Sequence, residues 1–477
     1  MIGNYFVGDD FTWFRWAADS GGSALGTISR YFLDSDGFFY RAGTKIYFYL
    51  MYSVFWLNQI VFHAVSLILH FITTALFFLM AKKILRSNLS SFLASLLFLI
   101  MSGYSEVVFW VSSTGYLFNS VFLFASLLMF VLWEERKRVI YYVSSIVFML
   151  LTLLFHEMGV VIPLLLIAYK LIFDESVSVA KIFKKREYLF LFIPILVYLF
   201  VRFISNSHWF SGDYAYDILK FPLNTAGNIA GYLSLIFLGP ASLPFYQALR
   251  NFWREYVAIA LIIAPIILFL LAFFCKMVIK KAEREDLKII KFGLLFFLIA
   301  LLPFLGLGNI TSRYSYVASL GPLLIFVLLI QKLYNYLVNF GKDIAVMSII
   351  IVISVFSLFH IIQVQQIHGE WHTAGEKTKR FFVSIDSLYT NYWSQEEAQL
   401  HFVNVPIRHG DAWVFPVGLE DAIWLSFRND NLRVYKHQSL KEAFNAAGLS
   451  PSNHVFKFRD DGGVEEVIRP QKTPSPN

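Results

Sequence analysis

The sequence predicts an all-α polytopic membrane protein with about ten crossings and a small α/β domain at its C-terminal end. Three observations carry this. Of the 477 residues, 57% are hydrophobic and 15% are charged, with a mean hydropathy of +0.59, whereas about a quarter of a soluble domain is charged. Apolar stretches recur from residue 58 to residue 363, many of them close to the roughly 20 residues that cross a bilayer. Beyond Ile362 the composition returns to that of a soluble segment.

Residues 1–56 mix charge, glycine and aromatic residues. Such a stretch cannot span hydrocarbon, so it is expected as an extracytoplasmic loop against the helices that follow. Crossings are expected at 58–81, 89–103, 111–133, 139–155, 158–174, 187–206, 256–279, 287–307, 316–337 and 343–363, the short second one extending to Glu106 or beyond. Residues 364–469 contain short apolar runs at 400–405 and 412–417 between turn signals, the pattern of a small mixed α/β domain. Residues 470–477 read as a disordered tail.

Orientation follows from the cations. Lys82, Lys83 and Arg86, then Arg136-Lys137-Arg138, then Lys181 with Lys184-Lys185-Arg186, then the cluster from Lys276 to Lys291, alternate with loops nearly free of cations. By the positive-inside rule these clusters are cytoplasmic. Asp9-Asp10, Glu106, His156-Glu157, Arg313 and the C-terminal domain then share the outer face. The apolar stretch 224–239 would break this alternation if it crossed, so it is expected as a re-entrant or surface-lying helix, which Gly227, Gly231 and Gly239-Pro240 favour. The net charge of +7 lies in these flanking runs, so no nucleic-acid partner is expected. Cys275 is the single cysteine, which excludes an intramolecular disulfide and a thiolate metal cluster. No cleavable signal peptide is visible at Met1. Exporting about fifty residues with Arg15, Arg30, Arg41 and Lys45 tail-first is unfavourable, so a further N-terminal crossing upstream is expected.

Several polar residues stand out against this background. Asp9 and Asp10 are adjacent carboxylates capable of acid/base work, although Asp10 before Phe11 also reads as a helix N-cap. His63, Ser66, His70, Thr73 and Thr74 form a polar stripe on an apolar helix, whose ordinary role is hydrogen bonding between helices. Glu106 sits at the outer rim with Trp110, and His156-Glu157 forms a further acidic point at the same level. Arg313 precedes the crossing that starts near Tyr316; its fork suits a phosphate, and it would equally anchor a helix end at the headgroups.

The order of these motifs resembles the GT-C superfamily of membrane glycosyltransferases, in the branch of protein O-mannosyltransferases and tetratricopeptide-bearing O-mannosyltransferases. Tyr40-Arg41, Trp56-Leu57-Asn58, Phe62-His63 and Leu69-His70 follow the order of the segment after that superfamily's first outer loop, and Asp9-Asp10 takes the place of its acidic motif. Glu106-Val107-Val108-Phe109-Trp110-Val111 is similar to the next outer rim. His156-Glu157-Met158 with Pro163 resembles the Lys-Glu motif, and Arg313-Tyr314-Ser315-Tyr316 with Ser319-Leu320-Gly321 resembles the Arg-Tyr motif. The likeness spans residues 5–335. Ala42-Gly43 stands where the family has Pro-Leu, Ser113-Thr114 replaces a Gly-Arg neighbourhood, His156 replaces a Lys, and the repeats are missing. These departures bear on the acceptor more than on the reaction.

The resemblance implies a GT-C-like bundle whose first 56 residues are the catalytic loop. It implies inverting transfer of a sugar from a polyprenyl-phosphate donor to a hydroxyl acceptor outside the membrane. Asp9 or Asp10 would be the general base, and Arg313, with Arg41 and His156 as further candidates, would hold the donor phosphate. Tyr40, Glu106, Glu157, His63, His70, Tyr314 and Tyr316 would support the site. No cofactor is certain; a divalent metal held by Glu106 and Glu157 with Asp9 is possible. The rival readings are a lipid-linked sugar flippase or transporter, which would carry polar residues along a path through both leaflets, an O-antigen ligase or polymerase, and a structural scaffold.

Overall fold

A computed structural model describes residues 1–208, 216–256, 259, 283–389, 393 and 397–469. The crossing expected at 256–279 falls almost entirely outside these residues, and Cys275 and the tail 470–477 wholly so. The chain is mostly helical with a small C-terminal sheet.

Among the described residues, six helices are long and apolar enough to cross a membrane: Gln59–Leu85, Val111–Arg136, Arg186–Ile204, Arg284–Leu305, Leu320–Phe340 and Lys342–Leu388. Asn88–Ile100 with Ser102–Phe109 makes a seventh candidate, bent by 56°. The crossings expected at 139–155 and 158–174 fall on shorter helices, Val139–Phe155 of 17 residues and Ile162–Phe173 of 12. The first is at the lower end of the roughly 17–25 residues that cross, and the second continues directly from the turn Glu157–Val161. Seven of the ten expected stretches thus carry a helix of crossing length and composition among the described residues, the bent pair included.

The N-terminal 56 residues are not a loop. They fold as α1 (Asp10–Ala18), α2 (Ala24–Leu33) and α3 (Ala42–Phe55), because Phe11, Phe14 and Ala17 recur at helical spacing and are buried. Ser23 caps α2 by accepting from Gly26 N at 3.1 Å. Two further helices follow, α4 (Gln59–Leu85) and α5 (Asn88–Ile100). Asn58 caps the first, which ends where Arg86 turns left-handed at φ 53°, and Ser87 caps the second.

The 18-residue helix Phe221–Leu238 joins two points on one rim of the bundle. Near its start, Asn224 donates to Gly306 O at 3.3 Å and Asn228 to Leu307 O at 2.9 Å. At its end, Gln363 donates to Leu238 O at 3.1 Å, and a Cβ on Gly103 would lie 2.1 Å from Leu235 O. Ser315 Oγ donates to Gly103 O at 3.0 Å and ties the two points together. The chain then doubles back as Leu243–Glu255, where Arg250 donates to Asn224 Oδ1 at 2.9 Å.

The composition change at 363 falls inside one 48-residue helix, Lys342–Tyr389. The expected start of a separate domain at 364 is thus not a structural boundary: hydropathy changes there while the backbone hydrogen-bond ladder runs on. The sheet begins at β1 (Ala398–Val403), followed by β2 (Arg408–His409), β3 (Ala412–Trp413), β4 (Leu432–His437), β5 (Asn453–Phe458) and β6 (Val464–Glu466). Its order is β4-β1-β5-β6, with β1 parallel to both neighbours and β6 antiparallel to β5, while β2 and β3 form a separate hairpin. Helices Leu419–Phe427 and Leu440–Ala447 make the crossovers, as parallel pairing requires.

Two aromatic-rich cores result. One lies inside the helical bundle. The other joins Phe6, Phe11 and Phe14 of the N-terminal segment to Phe381, Phe402, Phe415 and Phe458 of the C-terminal domain. Phe6 meets Phe14 at 4.6 Å, Phe11 meets Phe382 at 5.1 Å, and Phe381 meets Phe415 at 5.1 Å. Each fully buried Phe contributes about 1.5–3 kcal/mol, so this core holds the two ends of the chain together. Arg15 adds a 3.0 Å ion pair to Asp421.

Gly418 seals that contact. It is left-handed at φ +81°, and a Cβ there would lie 2.1 Å from Gly8 O. Gly418→Ala is expected to lower the thermal unfolding midpoint in detergent by more than Gly448→Ala, whose φ of +64° carries the strain without the clash. Backbone strain alone costs about 1–3 kcal/mol, so equal midpoints would show that the Gly8 approach is not tight.

Candidate active site

Asp10 and Asp9 are placed in different roles. Asp10 is buried, and its carboxylate accepts from Val7 N at 2.9 Å, from Ser112 N at 2.7 Å and from Ser112 Oγ at 2.5 Å. It bolts the start of α1 to the turn Val111–Ser113 and is not a helix N-cap, since it lies one residue inside the helix and turns its carboxylate outward. Burial lifts its carboxyl to about 7 while the Ser112 and Val7 donors pull it down. Asp9 occupies the N-cap position but makes no side-chain cap bond, and its Oδ1 is buried with no hydrogen-bond partner among the described residues. Burial lifts its carboxyl to about 6, with the Arg313 charge opposing and the Glu106 charge adding.

Glu106 is the centre of the neighbouring cluster. The break after α5 turns the short helix Ser105–Phe109 away from the α5 axis and brings this carboxylate to the rim. Arg313 Nη1 donates to its Oε1 at 2.9 Å, Trp413 Nε1 to the same oxygen at 2.8 Å, and Ser312 Oγ to Oε2 at 2.9 Å. Arg313 also lies over the rings of Trp110, Tyr314 and Tyr116, at 5.4, 5.5 and 5.9 Å. The Lys436 ammonium, held by Phe415 O and Pro416 O, approaches from the sheet and feels the charge of Asp9.

Arg41, His156 and Glu157 form a second cluster. Arg41 donates through Nε to Glu157 Oε2 at 3.0 Å and through Nη2 to Oε1 at 2.8 Å, and Nη2 lies 3.0 Å from His156 Nε2. Burial raises the Glu157 carboxyl, yet the Arg41 charge and its hydrogen bonds outweigh it and hold the group well below the usual carboxylate range. Burial pushes His156 down to about 3, so it is neutral. Tyr116 links the clusters, with its ring 4.0 Å from that of His156. Arg41 is thus engaged by a buried carboxylate in a bidentate pair, which is a structural use of its fork.

The remaining candidates pack the structure. His63 Nε2 donates to Asn4 O at 3.1 Å. His70 Nε2 donates to Leu99 O at 3.1 Å, and Tyr316 OH donates to His70 Nδ1 at 2.7 Å. Tyr40 OH donates to Phe32 O at 3.3 Å, and Tyr314 stacks on Phe304 at 3.7 Å. Asp9 therefore lies within electrostatic reach of the Glu106–Arg313 pair, whereas His63, His70, Tyr40 and Tyr316 serve packing and hydrogen bonding between segments.

The carboxylates named for a divalent ion do not converge: Glu157 is committed to Arg41 and Glu106 to Arg313. Among the described residues no three His, Cys, Asp or Glu side chains form a ligand set. Sequence reasoning did not single out Arg408, Trp413, Asp411, Lys436 or Ser112 for the site. The one signal was the charged turn Arg408-His409-Gly410-Asp411 before Trp413, inside a segment that named no ligand. No family model matches the chain, and no curated protein matches it.

The two aspartates separate on stability. In Asp10→Asn, an amide placed toward Val7 N would meet a donor with a donor, so stability should fall by about 1–3 kcal/mol. Asp9 has a raised folded value, so its favourable contribution exists below the unfolded value near 4 and is lost as pH rises through about 6. Asp9→Asn should therefore unfold at pH 7 no lower than the wild type. Thermal unfolding of both variants in detergent checks this, and an Asp9→Asn midpoint below that of Asp10→Asn would reverse the assignment.

Proposed function

We propose that this protein is a GT-C-type glycosyltransferase that moves a sugar from a polyprenyl-phosphate donor to a hydroxyl acceptor at the outer face of the membrane, with inversion. The observation that carries the reading is the unpartnered, buried Oδ1 of Asp9 beside the Glu106–Arg313 pair, on a rim that the helical bundle shares with the C-terminal domain. A carboxylate raised to about 6 is deprotonated at neutral pH and is a better proton acceptor than an ordinary one.

In this reading Asp9 takes the proton of the acceptor hydroxyl as its oxygen bonds to the anomeric carbon. The bond from that carbon to the phosphate oxygen breaks, and the lipid phosphate leaves with the electron pair. Arg313 stabilises the charge that grows on the leaving phosphate. Glu106 fixes Arg313 in place with help from Ser312 and Trp413. Asp10 does not touch the reaction; it holds the backbone that presents Asp9. The acceptor reaches the rim from water while the lipid chain stays among the helices.

A flippase is favoured less. Its polar groups would line a path across the bundle, whereas here the polar groups deeper in the helices are tied to one another, as in His70 with Tyr316 and Ser66 with Thr114.

The test is transfer by purified protein in detergent with a panel of polyprenyl-phosphate monosaccharides. Asp9→Asn should lose transfer by about 100-fold or more while remaining folded, and Arg313→Ala should weaken it by about 100-fold. Wild-type transfer should rise with pH through about 6 and level off above. Full activity of Asp9→Asn, or a rate indifferent to pH between 5 and 7, would sink the reading.

A further inference from the structure

Three segments far apart along the chain enclose a polar cavity at the rim. The long helix Lys342–Tyr389 contributes Gln363, Gln366, Ile367 and Glu370, which stand at i, i+3, i+4 and i+7 on one helix face. Segment 240–247 forms a second wall, and the turn 408–411 forms the third. The space measures about 310 Å³, which is the size of a small-molecule site.

Its walls are fastened to one another. Asp411 N donates to Glu370 Oε2 at 2.7 Å, and Gln366 donates to Glu370 Oε1 at 3.0 Å. Gly410, left-handed at φ +59°, lies so close that any Cβ there would collide with the Glu370 carboxylate. The buried Gln363 donates to Leu238 O at 3.1 Å and accepts from Ala241 N at 3.2 Å. The cavity is therefore preformed, as small-molecule sites usually are.

The groups left free on these walls define the ligand. Among the described residues the Asp411 carboxylate and the Gln247 amide make no hydrogen bond and no ion pair. Each Glu370 oxygen accepts one bond where it can take two. The exposed Arg408, stacked on Trp413, adds donors from the hairpin side. An anion is disfavoured, because Asp411 and Glu370 outnumber Arg408. An apolar ligand would strand the carboxylates. A neutral molecule with several hydroxyls satisfies every one of these groups, donating to Asp411 and Glu370 and accepting from Gln247 and Arg408. Leu243, Pro244 and Ile367 add apolar surface for the C–H face of a sugar ring.

The cavity also adjoins the candidate site. A smaller one, of about 50 Å³, shares Pro240, Leu243, Arg408 and Asp411 with it and reaches Glu106 and Ser312. A ring held by Asp411 and Glu370 is thus next to the Glu106–Arg313 pair.

We propose that this cavity binds a saccharide through Asp411, Glu370 and Gln247, and that the hydroxyl acceptor of the transfer is a sugar rather than a peptide. The role of acceptor rests on the glycosyltransferase reading; the saccharide site rests on the cavity and its free groups. The long helix and the hairpin of the C-terminal domain then select the acceptor.

The experiment is saturation-transfer NMR on the full-length protein in a detergent without a sugar headgroup. The probes are the methyl glycosides of glucose, galactose, mannose and N-acetylglucosamine, with an end-blocked serine tripeptide for comparison. At least one glycoside should bind with a Kd on the order of millimolar, and the tripeptide about tenfold more weakly. Asp411→Ala should weaken that glycoside by about tenfold and Gln247→Ala by about threefold; both positions are exposed, so the fold is kept. Ala241→Trp, which places a ring in the cavity, should abolish binding. No glycoside bound at about 20 mM, an Asp411→Ala Kd within about twofold of wild type, or the tripeptide bound more tightly than every glycoside would overturn the proposal. Asp411-dependent glycoside binding in a protein that transfers no sugar would uphold the site and overturn the reaction. Sugar transfer that Asp411→Ala and Ala241→Trp both leave untouched would do the reverse.

Discussion

The carboxylate of Glu106 lies almost out of water, and it accepts from three donors contributed by two distant segments: Arg313 and Ser312 from the turn before the helix Leu320–Leu337, and Trp413 from the C-terminal hairpin. A charge in that position is costly unless it is paired and its lone pairs are satisfied. Satisfying it draws the bent end of one membrane helix, the head of another and the C-terminal sheet to a single point. The geometry of the rim follows from that requirement, and so does the placement of Asp9 next to an ion pair rather than in open water.

The second constraint is apolar. The N-terminal segment has too few residues to form a core of its own, and its Phe6, Phe11 and Phe14 are completed by Phe381, Phe402 and Phe415 from the other end of the chain. The long helix Lys342–Tyr389 makes this possible by carrying the chain from the bundle to the sheet without a break. The two ends then close over the rim together. Gly8 and Gly418 meet at that seam because any side chain would hold the surfaces apart.

Adjacent residues of one type acquire different chemistry from these constraints. Asp10 has three donors and is a structural tie, whereas Asp9, one residue earlier, keeps a buried oxygen without a partner. The arginines divide in the same way. Arg41 and Arg313 are balanced by Glu157 and Glu106, while the exposed Arg408 stacks on the face of Trp413.

Much of this protein was legible in the linear order of its residues, for reasons of solvent. Hydrocarbon excludes charge, so the long apolar stretches marked the helices Gln59–Leu85, Val111–Arg136 and Arg284–Leu305, and the alternation around 400–417 marked the sheet. Asp9 stood out as one of two adjacent carboxylates, and Glu106 and Arg313 as charges at the ends of apolar stretches. Hydropathy failed where it says nothing about packing. The apolar content of 139–155 and 158–174 did not reveal how short those helices are, and the change of composition after Ile362 did not reveal that the helix continues. Pairing across the chain lay wholly beyond it. That Arg41 is spent on Glu157, that Asp10 is spent on Ser112, and that Arg408 comes back some 300 residues later to lie beside Glu106 are consequences of folding in three dimensions, because a counter-charge is defined by distance in space and the sequence carries only distance along the chain.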